Sequence, residues 1–413
     1  MSHSVYPDVA RSSMQNFVLG LSLVVIAGNL RPVFTSLSVL LNDISQTFHM
    51  SGFETGLLTT LPVLCLGIFA PLAPFLTQRI GLNQTLFVAL ILLFLGILMR
   101  GIGQFHLLYV GAIFAGSAIA IGNVLLPTIV KRDFPKHMSI MTALYTMSLC
   151  GGAAVAVGLT VPLKYLLGGS WPLALGVWAV PVCLAIFLWL PQAFEKKKIK
   201  INERYKVKGL LHDPLAWQIT FFMGMQSSLG YIVFGWLAPI LHERGISLVD
   251  SGSLVSVSIM VQAASCMVIP LIAGHRASQS MLNLTLCFLA IMGMLGFIFA
   301  PLSTVWLWVF VQGVGQGGLI AAAMMVIVLR SRDAYVASNL SGMAQCIGYI
   351  LAAGGPLLVG VVHDWSGSFK AASFIFVFYG VIAGVMGYLA GRPLYCNVSV
   401  EYLPNKKTKV LAD

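Results

Sequence analysis

Residues 17–41 read FVLGLSLVVIAGNLRPVFTSLSVLL, a run of 25 residues in which Arg31 is the single charged side chain. About 20 mainly apolar residues in a helix are enough to cross the hydrocarbon core of a bilayer. The stretch therefore predicts a membrane-spanning helix. It is too long for the apolar core of a signal peptide, so we expect this first helix to be retained.

The same pattern recurs along the whole chain. Hydrophobic residues occupy 58% of the 413 positions, charged residues 9%, and the mean hydropathy is +0.91, which excludes a water-soluble core. Apolar runs bounded by charges, Gly and Pro predict twelve spans, at 17–41, 52–76, 83–103, 105–130, 138–163, 170–191, 214–241, 251–273, 281–300, 302–329, 337–362 and 370–391. The predicted fold class is an all-α membrane protein.

Lysine and arginine are unevenly divided between the two sides of these spans. Nineteen of the 24 fall in the two tails and in the connections that follow spans 2, 4, 6, 8 and 10. The opposite side receives Arg100, Lys164, Arg244 and Lys370. Because basic residues favour the cytoplasmic side, both termini are predicted to be cytoplasmic. The net charge of +11 then reflects topology, and no nucleic-acid partner is expected.

A long polar stretch divides the spans into two sets of six. We expect a cytoplasmic N-tail at 1–16, an N-terminal half at 17–191, a cationic linker at 192–213, a C-terminal half at 214–391 and a cytoplasmic C-tail at 392–413. The linker carries seven basic residues, which suit contact with anionic lipid.

Weak sequence repeats relate the two halves. Arg132-Asp133 after span 4 recurs as Arg332-Asp333 after span 10, and Pro74 in span 2 recurs as Pro270 in span 8. Together with the six-plus-six division, these repeats indicate a duplicated transporter built from parallel halves.

Five separated blocks resemble the cyanate and nitroimidazole transporter family (CynX/NimT type) of the Major Facilitator Superfamily. They are NLRPVFTSL (29–37), GLLTTLPVLCLGIFAPLAP (56–74), GNVLLPTIVKRDFP (122–135), WLAPILHERGIS (236–247) and LSGMAQCIGYILAAGGPLLVG (340–360). The resemblance implies two pseudo-symmetric six-helix halves in a bacterial inner membrane. It also implies alternating-access transport of a small anion or compact polar heterocycle, cyanate-like or 2-nitroimidazole-like.

One segment departs from the superfamily pattern. The connection after span 2 reads PFLTQRIG (74–81), in which Arg79 and Gly81 match the usual motif but Gln78 replaces its acid. The charge-mediated lock that the motif provides in the superfamily is therefore in doubt for this chain.

Arg31 is the most informative single residue. It lies near the middle of span 1, where an ionised side chain costs at least about 2.5 kcal/mol. No acid is predicted at that depth, since all thirteen fall in tails, loops or span ends, and the eight histidines are expected outside the spans. Pro32 predicts a kink, where a helix N-terminus and the guanidinium could hold an anion together. A structural Arg bonded to backbone groups is the alternative.

Other polar residues near mid-span are candidates for the same cavity. On a continuous helix, Thr35, Ser38 and Asn42 would share the face of Arg31, whereas Asn29 would point away and make a packing contact. The remaining candidates are Asn123 (span 4), Tyr145 (span 5), Tyr231 and Trp236 (span 7), Gln262 (span 8), Gln312 and Gln316 (span 10), and Gln345 and Tyr349 (span 11). Each could instead be an interhelical contact, and Trp236 either a lid or a membrane-interface residue.

The residues present restrict the other classes of function. An intramembrane enzyme would need a nucleophile and a base at matched depth, and no span is expected to hold a histidine, so no enzymatic activity is predicted. The seven isolated cysteines form no metal-ligand pattern, so no metal or cofactor is expected. A solute sensor and a multidrug-type efflux carrier of small apolar or heterocyclic compounds remain as alternatives. The expected partners are a small anionic or negatively polarised solute and membrane lipid, with the chain acting as a monomer.

Overall fold

The computed structural model describes residues 13–134, 137–194, 204–273, 277–332 and 334–403. Twelve of its helical segments are long and apolar enough to cross a membrane. The predicted count of twelve spans is therefore confirmed. The first 12 and last 10 residues, and most of the basic part of the predicted linker, lie outside the described residues.

The first half consists of spans 1 to 6. Span 1 contains α1 (Ser13–Gly28) and α2 (Pro32–Ser38), and the short helix α3 (Leu41–Phe48) follows it. Span 2 contains α4 (Gly52–Phe69) and is followed by α5 (Leu72–Ile80). Spans 3, 4 and 5 are α6 (Leu82–Gly101), α7 (Phe105–Asp133) and α8 (Met138–Leu166), and span 6 contains α9 (Trp171–Gly176) and α10 (Ala179–Ala193).

The second half consists of spans 7 to 12. Its elements are β1 (Arg204–Lys208), α11 (Pro214–Glu243), α12 (Leu248–Ala273), α13 (Ser280–Phe299), α14 (Val305–Leu329), α15 (Ala334–Ser366), α16 (Phe369–Ala390) and β2 (Ser399–Leu403).

Span 1 is interrupted where the sequence predicts it. α1 ends at Gly28 and α2 begins at Pro32, so residues 29–31 form a short non-helical link in the middle of the span. Pro32 has no N–H to continue the backbone ladder. Although proline disfavours helical geometry in the residue before it, Arg31 keeps a right-handed helical φ of −108° and ψ of −26°. The link places Arg31 at the N-cap of α2, which confirms the predicted kink.

Histidines are found closer to the membrane than the sequence suggested. His106, His242 and His363 lie within the helices of spans 4, 7 and 11. Each lies within a turn of its helix end, where the side chain can still reach the surface. The expectation that all histidines fall outside the spans is therefore wrong for these three.

The two halves anchor the end of their fourth helix in the same way. In the first half, the guanidinium of Arg132 donates to Oδ1 of Asn83, near the start of span 3, at 2.9 Å. In the second half, Arg330 donates to Oε1 of Gln279, directly before span 9. In this contact the counterpart of Arg132 is Arg330, while the sequence repeat of Arg132-Asp133 as Arg332-Asp333 stays a prediction. The acid that follows Arg332 lies outside the described residues.

The halves meet along three pairs of spans: 2 with 11, 5 with 8, and 1 with 7. On the side opposite the chain termini, called the far side, Gly52 and Gly56 pack against the backbone of Gly360 and Leu357. The hydroxyl of Ser256 donates to the carbonyl of Ala154 between spans 8 and 5 at 2.8 Å. These close approaches seal the far side of the bundle.

The end of the linker and the C-tail form a small sheet that the sequence did not predict. β1 and β2 pair antiparallel, with Lys206 opposite Glu401. Beside the sheet, the carboxylate of Asp213 caps α11 and also accepts the N–H of Asn397. The C-tail is therefore tied to the second half at the side that carries the termini.

Candidate functional site

Arg31 lies at the boundary between the two halves. It is half-buried at the N-cap of α2, and its Nη1 donates to the hydroxyl of Tyr231 in span 7 at 3.0 Å. Span 1 belongs to the first half and span 7 to the second, so this hydrogen bond crosses between them. The non-helical link before Pro32 is what presents the guanidinium at mid-span.

Aromatic rings surround the guanidinium on the far side. Its central carbon lies 5.6 Å from the ring centre of Tyr231 and 5.7 Å from that of Phe234. Tyr231 in turn lies 5.3 Å from Phe34 and 6.1 Å from Tyr349, measured between ring centres. A cation beside aromatic faces is stabilised electrostatically, though weakly compared with an ion pair. The arrangement leaves the guanidinium with aromatic neighbours and one neutral acceptor.

A small pocket adjoins these rings. It is narrow, with about 10 Å³ open to the centre of a water molecule, roughly the space of a single water. Its lining comes from spans 1, 2 and 7: Val33, Phe34, Leu37, Thr59, Pro62, Tyr231, Phe234 and Gly235. The lining is mainly apolar, but in this structure the pocket is too small to hold a solute of several atoms.

Within the described residues, no carboxylate lies within ion-pair distance of Arg31. The acids sit at helix ends and in the C-tail, and most bond to other groups. Asp43 pairs with Lys164, Glu54 with Ser51, Asp133 with Arg132, Asp213 with the backbone of Leu215 and Asn397, Glu243 with His363, Asp250 with Ser247, and Glu401 with Lys208. Within these residues, the positions of the acids agree with the prediction that Arg31 has no counter-ion at its depth.

The N-terminus of α2 adds little to the site. Pro32 has no N–H, and the N–H groups of Phe34 and Thr35 point back to the carbonyl of Arg31. A free N-terminal turn would offer several such groups to an anion, but here two of them are bonded to the carbonyl of Arg31. The positive charge of the site therefore comes from the guanidinium rather than from the helix end.

Arg100 is a second buried guanidinium, which the sequence placed on the membrane surface. It is 2% exposed at the end of α6, and its Nη1 donates to the carbonyl of Val33 at 3.0 Å. Its Nε and Nη2 have no partner within the described residues. A long basic side chain near the end of a span usually reaches water, and the sequence prediction relied on this. The side chain of Arg100 instead turns inward toward α2.

The predicted polar stripe on span 1 does not form. The hydroxyl of Thr35 donates to the carbonyl of Ala153 in span 5 at 3.0 Å, and Ser38 bonds to the carbonyl of Thr35. Asn42 is exposed in α3. The stripe assumed one continuous helix, and the breaks between α1, α2 and α3 change the direction in which these side chains point. Asn29, in contrast, bonds to the carbonyl of Pro181 in span 6, which confirms it as a packing contact.

Three glutamines among the candidates lie between helices of the second half. Gln262 and Ser258 of span 8 both donate to Oε1 of Gln312 in span 10. Gln316 donates to the backbone carbonyl of Gln226 in span 7 at 3.0 Å. All three side chains are at most 2% exposed. The structure therefore places them as links among spans 7, 8 and 10.

Trp236 is neither a lid nor a membrane-interface residue. It is buried, and its indole N–H donates to the carbonyl of Pro356 in span 11 at 2.9 Å. Its ring lies 5.7 Å from that of Phe369. The side chain thus packs span 7 onto spans 11 and 12 within the second half.

The remaining candidates keep free surface or free hydrogen-bonding capacity. Asn123 in span 4 is half-buried, and its Nδ2 has no partner within the described residues. Tyr145 in span 5 is half-buried, and Gln345 in span 11 bonds to Ser341 of its own helix at 2.9 Å. Together with Tyr349, which contacts the ring of Tyr231, these residues stay compatible with a solute contact.

Sequence reasoning missed the aromatic neighbours of the site. Phe34 follows Arg31 by three positions, and Phe234 follows Tyr231 by three. Residues three apart on a helix lie on the same face, so the spacing was available as a signal. It was overlooked because only polar side chains were considered as ligand contacts.

The comparisons with known proteins agree with this architecture. A family model described as Major Facilitator Superfamily matches residues 23–353. The 2-nitroimidazole transporter of Escherichia coli (strain K12) is 35% identical over 92% of this chain and 97% of its own length. The cyanate transport protein CynX of the same organism is 30% identical over 84% of this chain and 91% of its own.

A solved structure shows the same fold at low sequence identity. It is a bacterial homologue of the human lysosomal transporter Spinster in an inward-facing and occupied conformation. The two chains superimpose with a TM-score of 0.74 at 16% identity, over 92% of this chain and 97% of the other.

Proposed function

This chain belongs to the Major Facilitator Superfamily and is a multi-pass membrane transporter of that type, and we propose that it carries a small anion or a compact polar heterocycle by alternating access. The solute is cyanate-like or 2-nitroimidazole-like, in keeping with what its relatives are named for. The relatives are transporters and not enzymes.

The observation that carries this proposal is the environment of Arg31. A half-buried guanidinium at mid-span has one neutral hydrogen-bond acceptor, aromatic neighbours, and no carboxylate within reach in the described residues. A charged group is costly at that depth unless something compensates it. A planar anion accepting two N–H bonds from the guanidinium is the compensation that its fork geometry favours.

The surroundings of the guanidinium give the site its selectivity. The rings of Phe34, Tyr231, Phe234 and Tyr349 limit the size of the solute and favour flat ones that can lie against them. Asn123, whose Nδ2 has no partner within the described residues, is the candidate for a further polar contact. In this mechanism the halves rock about the site while the solute stays bound to Arg31.

We further propose the setting in which the transporter works. The distribution of lysine and arginine favours both termini in the cytoplasm, and the bacterial relatives support an inner-membrane location. The far-side seal between spans 2 and 11 and between spans 5 and 8 would then face the periplasm. Each half packs onto the other within one chain, so a monomer suffices to complete the site.

A multidrug-type efflux carrier of small apolar or heterocyclic compounds is the second candidate. The apolar lining of the pocket favours it. The two candidates differ in what they require of Arg31, because an apolar solute would gain little from the charge.

A binding and uptake experiment separates them. Purified wild type, Arg31→Ala and Arg31→Lys would be tested by thermal shift and by uptake into proteoliposomes, with cyanate and 2-nitroimidazole as probes. Arg332→Ala serves as the matched control, because it removes an exposed guanidinium outside the site.

Wild type and the control should be stabilised by a probe and should take it up, since a ligand that binds only the folded state raises its stability. Arg31→Ala should lose both responses, and Arg31→Lys should keep part of them. Uptake of cyanate by Arg31→Ala at the wild-type rate would refute the anion proposal. Transport of a neutral heterocycle by all four proteins alike would favour the efflux carrier instead.

A further inference from the structure

We propose that this transporter is an exchanger, in which the empty carrier reorients much more slowly than the loaded one because Arg31 has no counter-ion of its own. The inference rests on the proposed function and adds the mode of transport to it.

The first step concerns the hydrogen bonds of the guanidinium. An arginine side chain has five N–H donors and stays charged at any physiological pH. Within the described residues, Arg31 makes one side-chain hydrogen bond, to the hydroxyl of Tyr231. Its other N–H donors need water or a solute as hydrogen-bond acceptors, and its charge needs water or a solute to stabilise it.

The second step concerns what happens when the halves move. Alternating access takes the protein from a state open on one side to a state open on the other, through a state closed on both. The far side is already sealed by contacts such as Gly52 and Gly56 against Gly360. Closing the other side as well would remove water from Arg31.

The third step is that no side chain nearby can replace that water. Tyr231, Phe34, Phe234 and Tyr349 supply aromatic faces and hydroxyls, which carry no formal negative charge. The described carboxylates lie at helix ends and in the C-tail. An unpaired charge in a dry site is strongly disfavoured, so the empty carrier meets a high barrier.

The last step is the effect of a bound anion. It supplies the negative charge and the acceptors that the guanidinium lacks, in hydrogen bonds that are among the strongest in proteins. The loaded carrier therefore passes through the closed state readily. A protein that moves readily only when loaded exchanges one anion for another across the membrane.

The test compares two efflux rates in the same proteoliposomes. They are loaded with labelled cyanate or labelled 2-nitroimidazole and diluted into buffer with or without the same unlabelled probe. The ratio of the two rates is taken from cyanate, which is an anion at neutral pH, and 2-nitroimidazole tests only whether the protein moves solute. Valinomycin and equal potassium on both sides hold the membrane potential at zero, so that charge movement does not slow net efflux. Liposomes without protein give the background.

We expect the efflux rate with external probe to exceed the rate without it by about tenfold or more. The empty carrier lacks at least one hydrogen bond to a charged group that the loaded carrier has, and such a bond is worth about a factor of ten or more. Equal rates in the two buffers would overturn the inference while leaving the proposed function intact. Failure of both probes to move under either condition would refute the proposed function, and the inference with it.

A variant pair tests the cause. Tyr231→Glu places a carboxylate where the neutral hydroxyl now contacts Arg31, and Tyr231→Gln is a neutral side chain of the same length. With a built-in counter-ion, the empty carrier should reorient more easily, so Tyr231→Glu should bring net efflux close to exchange. Tyr231→Gln should keep the difference between the two rates.

Equal ratios of exchange to net efflux in the two variants would overturn the role given to the missing counter-ion. If either variant fails to fold, the wild-type ratio decides the inference alone.

Discussion

The guanidinium of Arg100 donates a 3.0 Å hydrogen bond to the carbonyl of Val33, two residues after Arg31. Val33 lies in the first turn of α2, the short helix that starts directly after Arg31. Span 3 therefore holds the segment that presents Arg31. It also brings a second positive charge next to that segment, with no carboxylate among its hydrogen-bond partners in the described residues.

Arg100→Met should weaken anion binding more than it affects folding. The change removes a positive charge near the site. The attraction between that charge and a bound anion is about 1 kcal/mol at an intermediate distance and dielectric, so its loss should raise the Kd roughly fivefold. Two nitrogens of Arg100 have no partner within the described residues, and replacing buried charged groups by apolar side chains of similar volume is often neutral for stability. Thermal-shift titration with cyanate measures both the Tm without ligand and the affinity.

Arg244→Met is the control for that variant. Arg244 donates to the carbonyls of Phe297 and Ala300, so its removal should lower Tm and leave the Kd unchanged. If Arg100→Met lowered Tm strongly while the Kd stayed at the wild-type value, Arg100 would have a purely structural role.

Gly360→Ala should favour opening of the far side. A Cβ at position 360 would lie 2.5 Å from the carbonyl oxygen of Gly52 and 2.9 Å from Cα of Gly56. These are backbone atoms of the other half, so the overlap is relieved only if spans 2 and 11 separate. Leu37 is 2% exposed and lines the pocket beside Arg31. In a variant without the native cysteines, Leu37→Cys should therefore react faster with a maleimide when Gly360→Ala opens the far side.

Gly342→Ala in the same helix provides the matched control, because a Cβ at position 342 meets no atom within 4 Å. It should leave the labelling rate of the cysteine unchanged. The same increase in both variants would mean that the seal at Gly360 does not govern opening.

Gln312→Leu should affect stability rather than solute binding. Its Oε1 accepts from Ser258 and Gln262, and the side chain is fully buried. Interhelical hydrogen bonds in membranes contribute about 0.6 kcal/mol on average, so we expect a modest fall in Tm and a probe Kd within about twofold of wild type. Loss of probe binding at an unchanged Tm would instead make Gln312 a solute contact.

Cys396 should react slowly with alkylating reagents at neutral pH. Burial, and to a smaller extent the nearby carboxylate of Asp213, raise the pKa of its thiol to about 12. A thiol with a raised pKa stabilises the folded state at pH values below its ordinary pKa near 9. That contribution is lost as the pH rises from about 9 to about 12, where the thiol ionises.

The rate of N-ethylmaleimide addition at Cys396, followed by mass spectrometry from pH 7 upward, measures this directly. Asp213→Asn should speed the reaction, because it removes the negative charge that disfavours the thiolate, while asparagine still caps α11 well. An unchanged rate in this variant would show that burial alone protects the thiol.

The fold could be read from the sequence because a bilayer imposes a strong local rule. Each span must satisfy its own backbone hydrogen bonds and expose apolar side chains, so length and hydropathy were enough to find all twelve. The sequence also predicted the kink at Pro32, because proline lacks the N–H that continues a helix. Proline alone does not decide where a span breaks, since Pro127, Pro239 and Pro356 lie inside unbroken helices.

The site was predicted only in part. Arg31 was identified because a charge in an apolar run needs no neighbour to be recognised, and Tyr231 and Tyr349 do lie beside it. The direction of Thr35 was misjudged because helical phase holds only along an unbroken helix. Trp236 and the glutamines of spans 8 and 10 were also polar and near mid-span, yet their sequence positions did not reveal which neighbour they face.

By itself, the sequence determined the twelve spans, the kink at Pro32 and the presence of a charge without an acid at its depth. Tertiary structure alone decided that Arg31 meets Tyr231 across the two halves, that Arg100 turns inward to Val33, and that the far side is the sealed one. The physical reason is the range of the interactions. The backbone hydrogen bonds of a helix and its hydropathy depend only on residues within the same span. Hydrogen bonds between spans, such as that from Arg31 to Tyr231, join residues that can be 200 positions apart.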